Sequence, residues 1–370
     1  MRSKFYLSLL FYILSANAYT QNDESPTLNI GDPAPPLSVY GWIKGEPFQQ
    51  FEKGRIYVLE YWATWCRPCI AAMPRLTELA HEYKDKITVL GINTYEIGAI
   101  SMPRIKAFVD SLGNRMDYYV AVQDSLMAAA WFGASGEKGI PRSFVIDRDG
   151  KFAWAGHPMY LHQVLPKIVN GTWDLKEALA KRNLDRHLRY QDEDAHFELF
   201  QYRDDPSKPG DIGKPYLALI MINKIVSGEP RLKYTPAIAY DTFSSLLKTN
   251  PKKAYEYGKA AIVTPTYEDP ASDAIIGAIK TYSNKLNLPS EIYRLGAEAC
   301  QRSIDQIPYP EIINMSIYYS TMAEWYWRAK DKSKAINSLK KAIEEMKDRK
   351  DSSQAELAAL ESRLQQYSKL

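Results

Sequence analysis

The 370-residue sequence has little cysteine, little histidine and almost no net charge. Three cysteines are too few for a disulfide framework, and the five histidines show no metal-ligand spacing. The 47 basic and 44 acidic residues leave a net charge of only +3, without a clustered basic stretch. Charge therefore gives no indication of a nucleic-acid partner, and we expect none.

The apolar run at the amino terminus is too short to span a membrane. It extends from Phe5 to Leu14 behind a basic start, whereas a membrane-spanning helix needs about 20 apolar residues. Ala16 and Ala18 follow at the spacing that signal peptidase recognises, so residues 1–18 are predicted to be a cleaved signal peptide, with an uncleaved anchor as the alternative. No cysteine lies near the cleavage point to carry a lipid. We therefore expect a periplasmic or secreted mature protein that begins near Tyr19.

The remaining chain divides into a leader and two regions of different pattern. Its length suggests two domains, and residues 19–27 form a polar leader that we expect to be disordered. In residues 28–172, β-branched and aromatic runs alternate with amphipathic helical patterns, which predicts an α/β domain. Strand patterns are lacking in residues 173–370, so we predict an all-α domain there. Within the first domain we predict strands near 37–40, 56–62, 87–92, 118–122, 143–147 and 152–154, and helices near 66–83, 103–112, 125–132 and 161–169.

One segment of the all-α region resembles a tetratricopeptide-type repeat. Small and large apolar residues follow the spacing of such a repeat at Ala323, Tyr326, Ala335, Leu339 and Ala342. No clean period of about 34 residues recurs elsewhere, so a generic helical solenoid or bundle is an equal alternative.

Two of the three cysteines, Cys66 and Cys69, stand three residues apart at the start of a predicted amphipathic helix. Only the thiolate form of cysteine attacks a disulfide, and the unpaired N–H groups and dipole at a helix N-terminus favour that negative charge. Arg67 adds a positive charge between them. Cys69 lies one turn beyond Cys66 on the same helix face, within reach for a disulfide. We therefore predict that one of the two cysteines attacks a disulfide and that the other resolves the mixed disulfide.

The sequence disfavours three other uses of this pair. A zinc site would need a second pair of ligands, whereas Cys300 stands alone and is expected to be a small apolar residue on a helix. A purely structural disulfide at this separation would close too small a loop to stabilise much. A peroxidase would have threonine three residues before its nucleophile, whereas Thr64 lies two residues before Cys66.

Glu60 and Pro141 are two further candidate site residues. Glu60 interrupts an apolar strand on the same side as Val58 and Trp62, where burial would raise the pKa of its carboxyl group. It is either a proton relay for the resolving thiol or a salt-bridged structural residue, and both readings stay open. The Ile140–Pro141 bond directly precedes a predicted strand, a position that fits a cis peptide.

Several of these features together resemble the thioredoxin superfamily. They are residues 60–69 (Glu-Tyr-Trp-Ala-Thr-Trp-Cys-Arg-Pro-Cys), Pro74, and the Gly-Ile-Pro sequence of residues 139–141. Within the superfamily, the Gly-Asp-Pro-Ala-Pro sequence of residues 31–35 and the insertion before residue 139 are similar to exported TlpA-like and ResA-like disulfide reductases. The resemblance covers roughly residues 28–172.

The resemblance implies a central mixed sheet flanked by helices and a role for each site residue. Cys66 would be the exposed nucleophile and Cys69 the buried resolving thiol, while Glu60 would occupy the position of an acidic proton relay. Ile140 and a cis Pro141 would form a backbone ledge that pairs with the substrate. The predicted substrate-binding residues are Trp65, Arg67, Pro68, Ile140 and Pro141.

The resulting functional hypothesis is a reductase of protein disulfides in the cell envelope. It would receive electrons from a membrane protein, and its only cofactor would be the redox-active pair of Cys66 and Cys69. Because Arg67 favours the thiolate, a disulfide oxidase or isomerase is the nearest alternative. A further alternative is that the helical region binds a partner protein. Its aromatic residues would then line a groove, although a place in the core is more usual for such spacing: Tyr318, Tyr319, Trp325, Tyr326 and Trp327.

Overall fold

A computed structural model shows an α/β unit followed by helices, as the sequence predicts. The predicted signal peptide, residues 1–18, lies outside the described residues, as do residues 19–25 of the predicted leader. Of that leader, Pro26 is described and lies beside Gly136. None of the described helices is long and apolar enough to cross a membrane. The structure describes residues 26–98, 101–205, 207–208, 210–267, 271–307, 313–348 and 353–369.

A six-stranded sheet forms the centre of the α/β unit. Each predicted strand is present, although the first begins and ends later than predicted. The strands are β1 (Val39–Lys44), β2 (Ile56–Trp62), β3 (Ile87–Asn93), β4 (Tyr119–Gln123), β5 (Arg142–Ile146) and β6 (Phe152–Gly156).

The sheet is mixed, as expected. Its strands lie in the order β1-β4-β3-β2-β5-β6. β3 is parallel to both of its neighbours, β2 and β4, whereas the pairs β1–β4, β2–β5 and β5–β6 are antiparallel. This order places β2, the strand before the cysteines, at the middle of the sheet.

Four helices accompany the sheet. The third is shorter than predicted, because the chain changes after Ala128 to a π-helical turn over Ala129–Gly133. The helices are α1 (Arg67–Glu82), α2 (Met102–Leu112), α3 (Ser125–Ala128) and α4 (Leu161–Val169).

Both faces of β2 are covered, and all seven of its residues are buried. Such a continuous apolar run is typical of a central strand with layers on both sides. Because side chains alternate along a strand, Val58, Glu60 and Trp62 share one face. This face belongs to the cluster formed with α1, α2 and α4, while Tyr57 and Tyr61 belong to an aromatic cluster on the opposite face.

The remaining described elements are helical, as predicted for residues 173–370. Proline opens several of these helices, at a position where its missing N–H has no intrahelical acceptor. The helices are α5 (Leu175–Phe200), α6 (Pro215–Gly228), α7 (Pro236–Thr249), α8 (Pro251–Ala261), α9 (Ala271–Tyr282), α10 (Ser290–Gln306), α11 (Ser316–Arg328), α12 (Lys332–Asp348) and α13 (Gln354–Lys369).

The first helix of this region packs against the sheet. Leu175, Ala178 and Leu179 of α5 contact the aromatic cluster on the face opposite α1. The indole N–H of Trp173 donates to the carbonyl oxygen of Ala153 in β6 at 3.0 Å. The predicted boundary between residues 172 and 173 is therefore not a break in packing, since the start of α5 completes the second core of the α/β unit.

Helices α11 and α12 form a helical pair at the predicted repeat segment. Ala323, Ala335, Leu339 and Ala342 are buried together, and Tyr326 packs at their edge. The segment thus has the packing of one helix–turn–helix unit, while its membership of a repeat family stays a prediction.

Most of the nearby aromatic residues belong to the core. Trp325 is buried, and Trp327 stacks on Tyr367 with ring centroids 3.9 Å apart. Tyr319 and Tyr326 pack against core clusters and also line a small groove of about 170 Å³. Trp325 is therefore a core residue, as the more usual alternative predicted. Of the five aromatic residues that were predicted to line a groove, only Tyr319 and Tyr326 line this one.

Candidate active site

Cys66 and Cys69 form a disulfide at the N-terminus of α1, with their Cα atoms 5.3 Å apart. Cys66 is the N-cap residue, so its backbone is extended while the helix begins at the next residue. The backbone N–H of Cys69 donates to Sγ of Cys66 at 3.3 Å. A helix N-terminus therefore presents an N–H group to the sulfur that is predicted to become the thiolate.

Both cysteines are buried in this disulfide form. Cys66 is 3% exposed and Cys69 is 1% exposed. The expectation of an exposed Cys66 is therefore wrong for the disulfide form. Its sulfur is bonded to the buried Cys69, and both residues belong to the apolar cluster that includes Trp62 and Met73.

The predicted substrate-binding residues surround this disulfide with unequal exposure. Trp65 is 47% exposed, and Arg67 and Pro68 are also exposed. Ile140 is half-buried against the cluster that contains both cysteines, and Pro141 is buried. The Ile140–Pro141 bond is cis, which confirms that prediction.

The loop after β3 holds the segment before Cys66, a feature that the sequence analysis missed. The carboxylate of Glu96 accepts hydrogen bonds from the backbone N–H and the hydroxyl of Thr64, both at 2.7 Å, and from the side-chain amide of Asn93 at 2.6 Å. The indole N–H of Trp65 donates to the carbonyl oxygen of Tyr95 at 2.8 Å. The sequence could have indicated this feature, because polar residues follow the carboxyl end of β3, and ligand-binding sites commonly form at the carboxyl ends of parallel strands.

Glu60 lies in the interior of the sheet and is 1% exposed. Its neighbours in the register are Ser143 of β5 and Gly91 of β3, and the hydroxyl of Ser143 donates to its Oε2. Burial raises the pKa of Glu60 to about 8, although the Ser143 hydrogen bond and the charge of Arg142 lower it in part. Within the described residues its Oε1 has no hydrogen-bond partner, so the structure does not show the salt-bridged alternative.

Gly91, the register neighbour of Glu60 in β3, leaves room for three neighbouring side chains. A Cβ atom at Gly91 would lie 3.0 Å from the terminal methyl carbon of Met116, 3.1 Å from the ring of Tyr118 and 3.2 Å from the indole nitrogen of Trp62. The hydroxyl of Tyr118 and the indole N–H of Trp62 are buried without partners among the described residues. Two potential donors therefore lie on the same face as a carboxyl oxygen that has none.

The described residues contain no second redox site at Cys300 and no cluster of metal-binding side chains. Cys300 is fully buried in the helical core, as expected for a small apolar residue, and burial raises its pKa to about 12. No group of three histidine, cysteine, aspartate or glutamate residues in the described ranges is arranged to hold a metal ion. The cysteine pair is thus the chemically reactive centre that the structure offers.

The amino-acid sequence of this chain is similar to those of several known proteins. The model of the AhpC/TSA family matches residues 30–155. Protein FixW of Rhizobium leguminosarum is 33% identical over 165 residues, which are 42% of this chain and 74% of that protein. Thioredoxin-like protein YneN of Bacillus subtilis (strain 168) is 35% identical over 155 residues, covering 42% of this chain and 79% of that protein.

A third relative has a name that describes an activity. Thiol-disulfide oxidoreductase ResA of Geobacillus thermodenitrificans (strain NG80-2) is 26% identical over 184 residues, covering 49% of this chain and 87% of that protein. All of these similarities cover half of the chain or less.

The raised pKa of Glu60 predicts a pH-dependent stability. Below pH 4.5, the ordinary value, the carboxyl group is protonated in both the folded and the unfolded state. Between pH 4.5 and about 8 the unfolded state ionises while the folded state stays protonated, so stability falls as pH rises and levels off above pH 8. Urea unfolding of the oxidised protein should show the wild type losing several kcal/mol relative to Glu60→Gln across this range.

An exposed glutamate provides the control for this measurement. Glu46→Gln should follow the wild type at every pH, because Glu46 is exposed at the end of β1. A constant stability difference between wild type and Glu60→Gln from pH 4.5 to 9 would contradict the raised pKa.

Proposed function

We propose, from the premise that this chain belongs to the AhpC/TSA family of thioredoxin-like proteins, that it reduces protein disulfides. The chain is an enzyme of the thiol–disulfide oxidoreductase class. The observation that supports the proposal is the buried disulfide between Cys66 and Cys69 at the N-terminus of α1.

The proposed reaction begins with the reduced pair. The Cys66 thiolate attacks one sulfur of a substrate disulfide, forms a mixed disulfide and releases the other substrate sulfur as a thiolate. Cys69 then loses its proton and attacks Sγ of Cys66, which re-forms the Cys66–Cys69 disulfide and releases the second substrate thiolate. Two electrons pass to the substrate in each cycle. A thiol donor restores them by the reverse exchange.

The proposed direction of electron transfer rests on the different cost of burying a neutral disulfide and a charged thiolate at this site. A disulfide is neutral and its burial costs little, whereas a thiolate in the same apolar cluster must be desolvated. Sγ of Cys66 accepts a hydrogen bond from the backbone N–H of Cys69, which offsets part of that cost, whereas the Arg67 side chain is exposed to solvent. The balance favours the disulfide form over the ionised dithiol form. A protein in that condition gives up its electrons readily, which is the behaviour of a reductase.

The ionised form of Glu60, which a pKa of about 8 makes a minor fraction near neutral pH, is proposed to accept the proton of Cys69 during resolution. Its carboxyl group is buried on the face of β2 that lies under α1, and its pKa of about 8 is close to the ordinary pKa of a thiol. Similar proton affinities allow transfer in either direction without a large energetic penalty. The transfer leaves Glu60 protonated and Cys69 as the attacking thiolate, after which the released thiolate or water takes the proton from Glu60.

The exposed residues around the disulfide are proposed to bind the substrate. Trp65, Arg67 and Pro68 form the accessible rim, and the backbone of Ile140 and Pro141 would provide the ledge against which a substrate strand lies. The electron donor is proposed to be a membrane protein, and the place of action the cell envelope. The basic and apolar amino-terminal sequence supports the proposed location, and a dithiol kept reduced in that oxidising compartment would need such a donor.

A second candidate function, binding of a protein partner by the helical region, is favoured by one surface. Five large apolar or aromatic side chains on α5 and α6 are between 50% and 77% exposed, and we call this set the α5–α6 surface. Exposed apolar surface of this extent commonly marks a protein-binding site. The set is Phe197, Phe200, Tyr216, Leu217 and Ile220.

We propose that the occupant of the α5–α6 surface is the substrate protein itself. Arg182 of α5 lies beside the sheet, and Phe200 lies 18 positions further along the same helix, which corresponds to about 27 Å. A small disulfide at Cys66 would not reach that far. A protein that carries its disulfide to Cys66 is large enough to contact both places.

The potential of the Cys66–Cys69 couple tests the proposed direction. Because the site favours the neutral disulfide, we expect equilibration with glutathione buffers to give a reduction potential below about −180 mV. A value well above −180 mV would assign the protein to the oxidases or isomerases. Cys300→Ala serves as the control and should leave the potential unchanged, since Cys300 is buried in the helical core.

Substitution of the α5–α6 surface tests the second candidate function. The triple variant Phe197→Ser, Leu217→Ser and Ile220→Ser should reduce disulfides in a total extract of oxidised exported proteins about tenfold more slowly, which corresponds to a loss of 1.4 kcal/mol in binding. Its rate with a small aromatic disulfide should not change. Ile317→Ser is the matched control, because Ile317 is 55% exposed on α11. Equal rates for the triple variant and the control would exclude this surface as a substrate-binding site.

A further inference from the structure

The loop that leads to Pro141 connects the π-helical turn to β5. It extends from the end of the π-helical turn at Gly133 to the start of β5 at Arg142. Ile140, near its end, packs against the apolar clusters on both faces of the sheet, including the cluster that contains the two cysteines. The placement of this loop therefore decides what lies beside the disulfide.

A buried acid in this loop joins two arginines from different parts of the chain. Glu137 pairs through Oε2 with Nε of Arg142 at 3.0 Å, and through Oε1 with the guanidinium of Arg182 at 2.8 Å. The side chains of all three are only 10% to 12% exposed. Arg142 belongs to β5, whereas Arg182 belongs to α5, the first helix of the all-α region.

Helix α5 contacts the same loop at two more positions. The guanidinium of Arg182 also donates to the carbonyl oxygen of Ser135 at 2.9 Å. The ammonium of Lys138 lies over the ring of Tyr190, 5.3 Å from its centroid. Three residues of the loop, at positions 135, 137 and 138, thus contact α5.

Because these charges are buried, their contacts restrict the position of the loop. A buried carboxylate is stable only when its charged partners stay in place, and here each carboxylate oxygen of Glu137 faces one arginine. Arg182 satisfies Glu137 and the Ser135 carbonyl together, so it fixes both the side chain and the backbone of the loop. Arg142, the other partner of Glu137, is the cation whose charge acts on Glu60.

We propose that α5 is a positioning element of the redox site, and that Arg182 acts through Glu137 to hold the 135–142 loop in its substrate-binding position. The all-α region thereby contributes to substrate binding by the amino-terminal unit. This inference rests on the proposed function, because it assumes that the loop contacts a protein disulfide.

Steady-state reduction of insulin and of a small aromatic disulfide by the full-length chain tests this proposal. In Arg182→Gln the loop loses its tie to α5, so the KM for insulin should rise roughly ten- to a hundredfold. The kcat should change far less, because the reacting sulfurs are untouched. Activity with the small disulfide should stay at the wild-type level, since it needs no contact with the loop. Arg182→Lys keeps the charge and should recover part of the insulin KM.

Lys181→Gln is the matched control, because it removes the same charge from the adjacent position of α5. Lys181 is 65% exposed and pairs with Asp185 of the same helix, so its removal should leave the insulin KM unchanged. Glu137→Gln provides an independent second variant and should raise the insulin KM in the same way as Arg182→Gln. Circular dichroism and the melting temperature establish that each variant is folded.

The outcomes separate this proposal from the proposed function. If folded Arg182→Gln and Glu137→Gln both keep the wild-type insulin KM, the positioning role is refuted, while insulin reduction by the wild type still supports the reductase. An equal loss of activity toward insulin and the small disulfide would also refute it, because it would show a general loss of structure. A wild-type chain that does not reduce insulin at all would refute the reductase and the positioning role together.

Discussion

The junction between β2 and α1 is the constraint on which the site depends. β2 is buried along its whole length at the centre of the sheet and ends at Trp62. Four residues later Cys66 caps α1, so the strand and the helix together fix one sulfur at a helix N-terminus. The loop after β3 adds to this restraint through Glu96, which holds Thr64 by two hydrogen bonds. The reactive sulfur is therefore positioned by the backbone on both sides of it.

Burial governs the chemistry of this junction. The disulfide is neutral and nearly inaccessible, and the carboxyl group of Glu60 below it is held in its neutral form to about pH 8. The same apolar environment penalises a thiolate and a carboxylate alike. In the proposed reaction, the neutral disulfide and the neutral carboxyl group therefore keep charge in the apolar core low.

The sequence predicted the parts of the fold that have strong local patterns. The bounds of β2 were predicted correctly and those of α1 to within one residue, because an unbroken apolar run and a clear helical period define them. The helix predicted for 125–132 was only partly correct, since Ala128 is followed by a π-helical turn that has no apolar signature of its own. The burial of Cys66 was missed because it depends on the layers that cover the strand, and the sequence pattern does not report them. Contacts of long sequence separation, such as that of Arg182 with Glu137, also lack a local signal.

The central claim is that Cys66 makes the first covalent bond with a substrate disulfide and that Cys69 breaks it. Mass spectrometry of mixed disulfides formed with oxidised insulin tests this claim most directly. In the reduced Cys69→Ala chain, an insulin chain should stay bonded to Cys66, because no resolving thiol is present. Reduced Cys66→Ala should form no such adduct, because Cys69 lies inside the first turn of α1, whereas Cys66 lies between the exposed residues Trp65 and Arg67. Stable adducts on Cys69 of the Cys66→Ala chain, with none on Cys66 of the Cys69→Ala chain, would contradict the account.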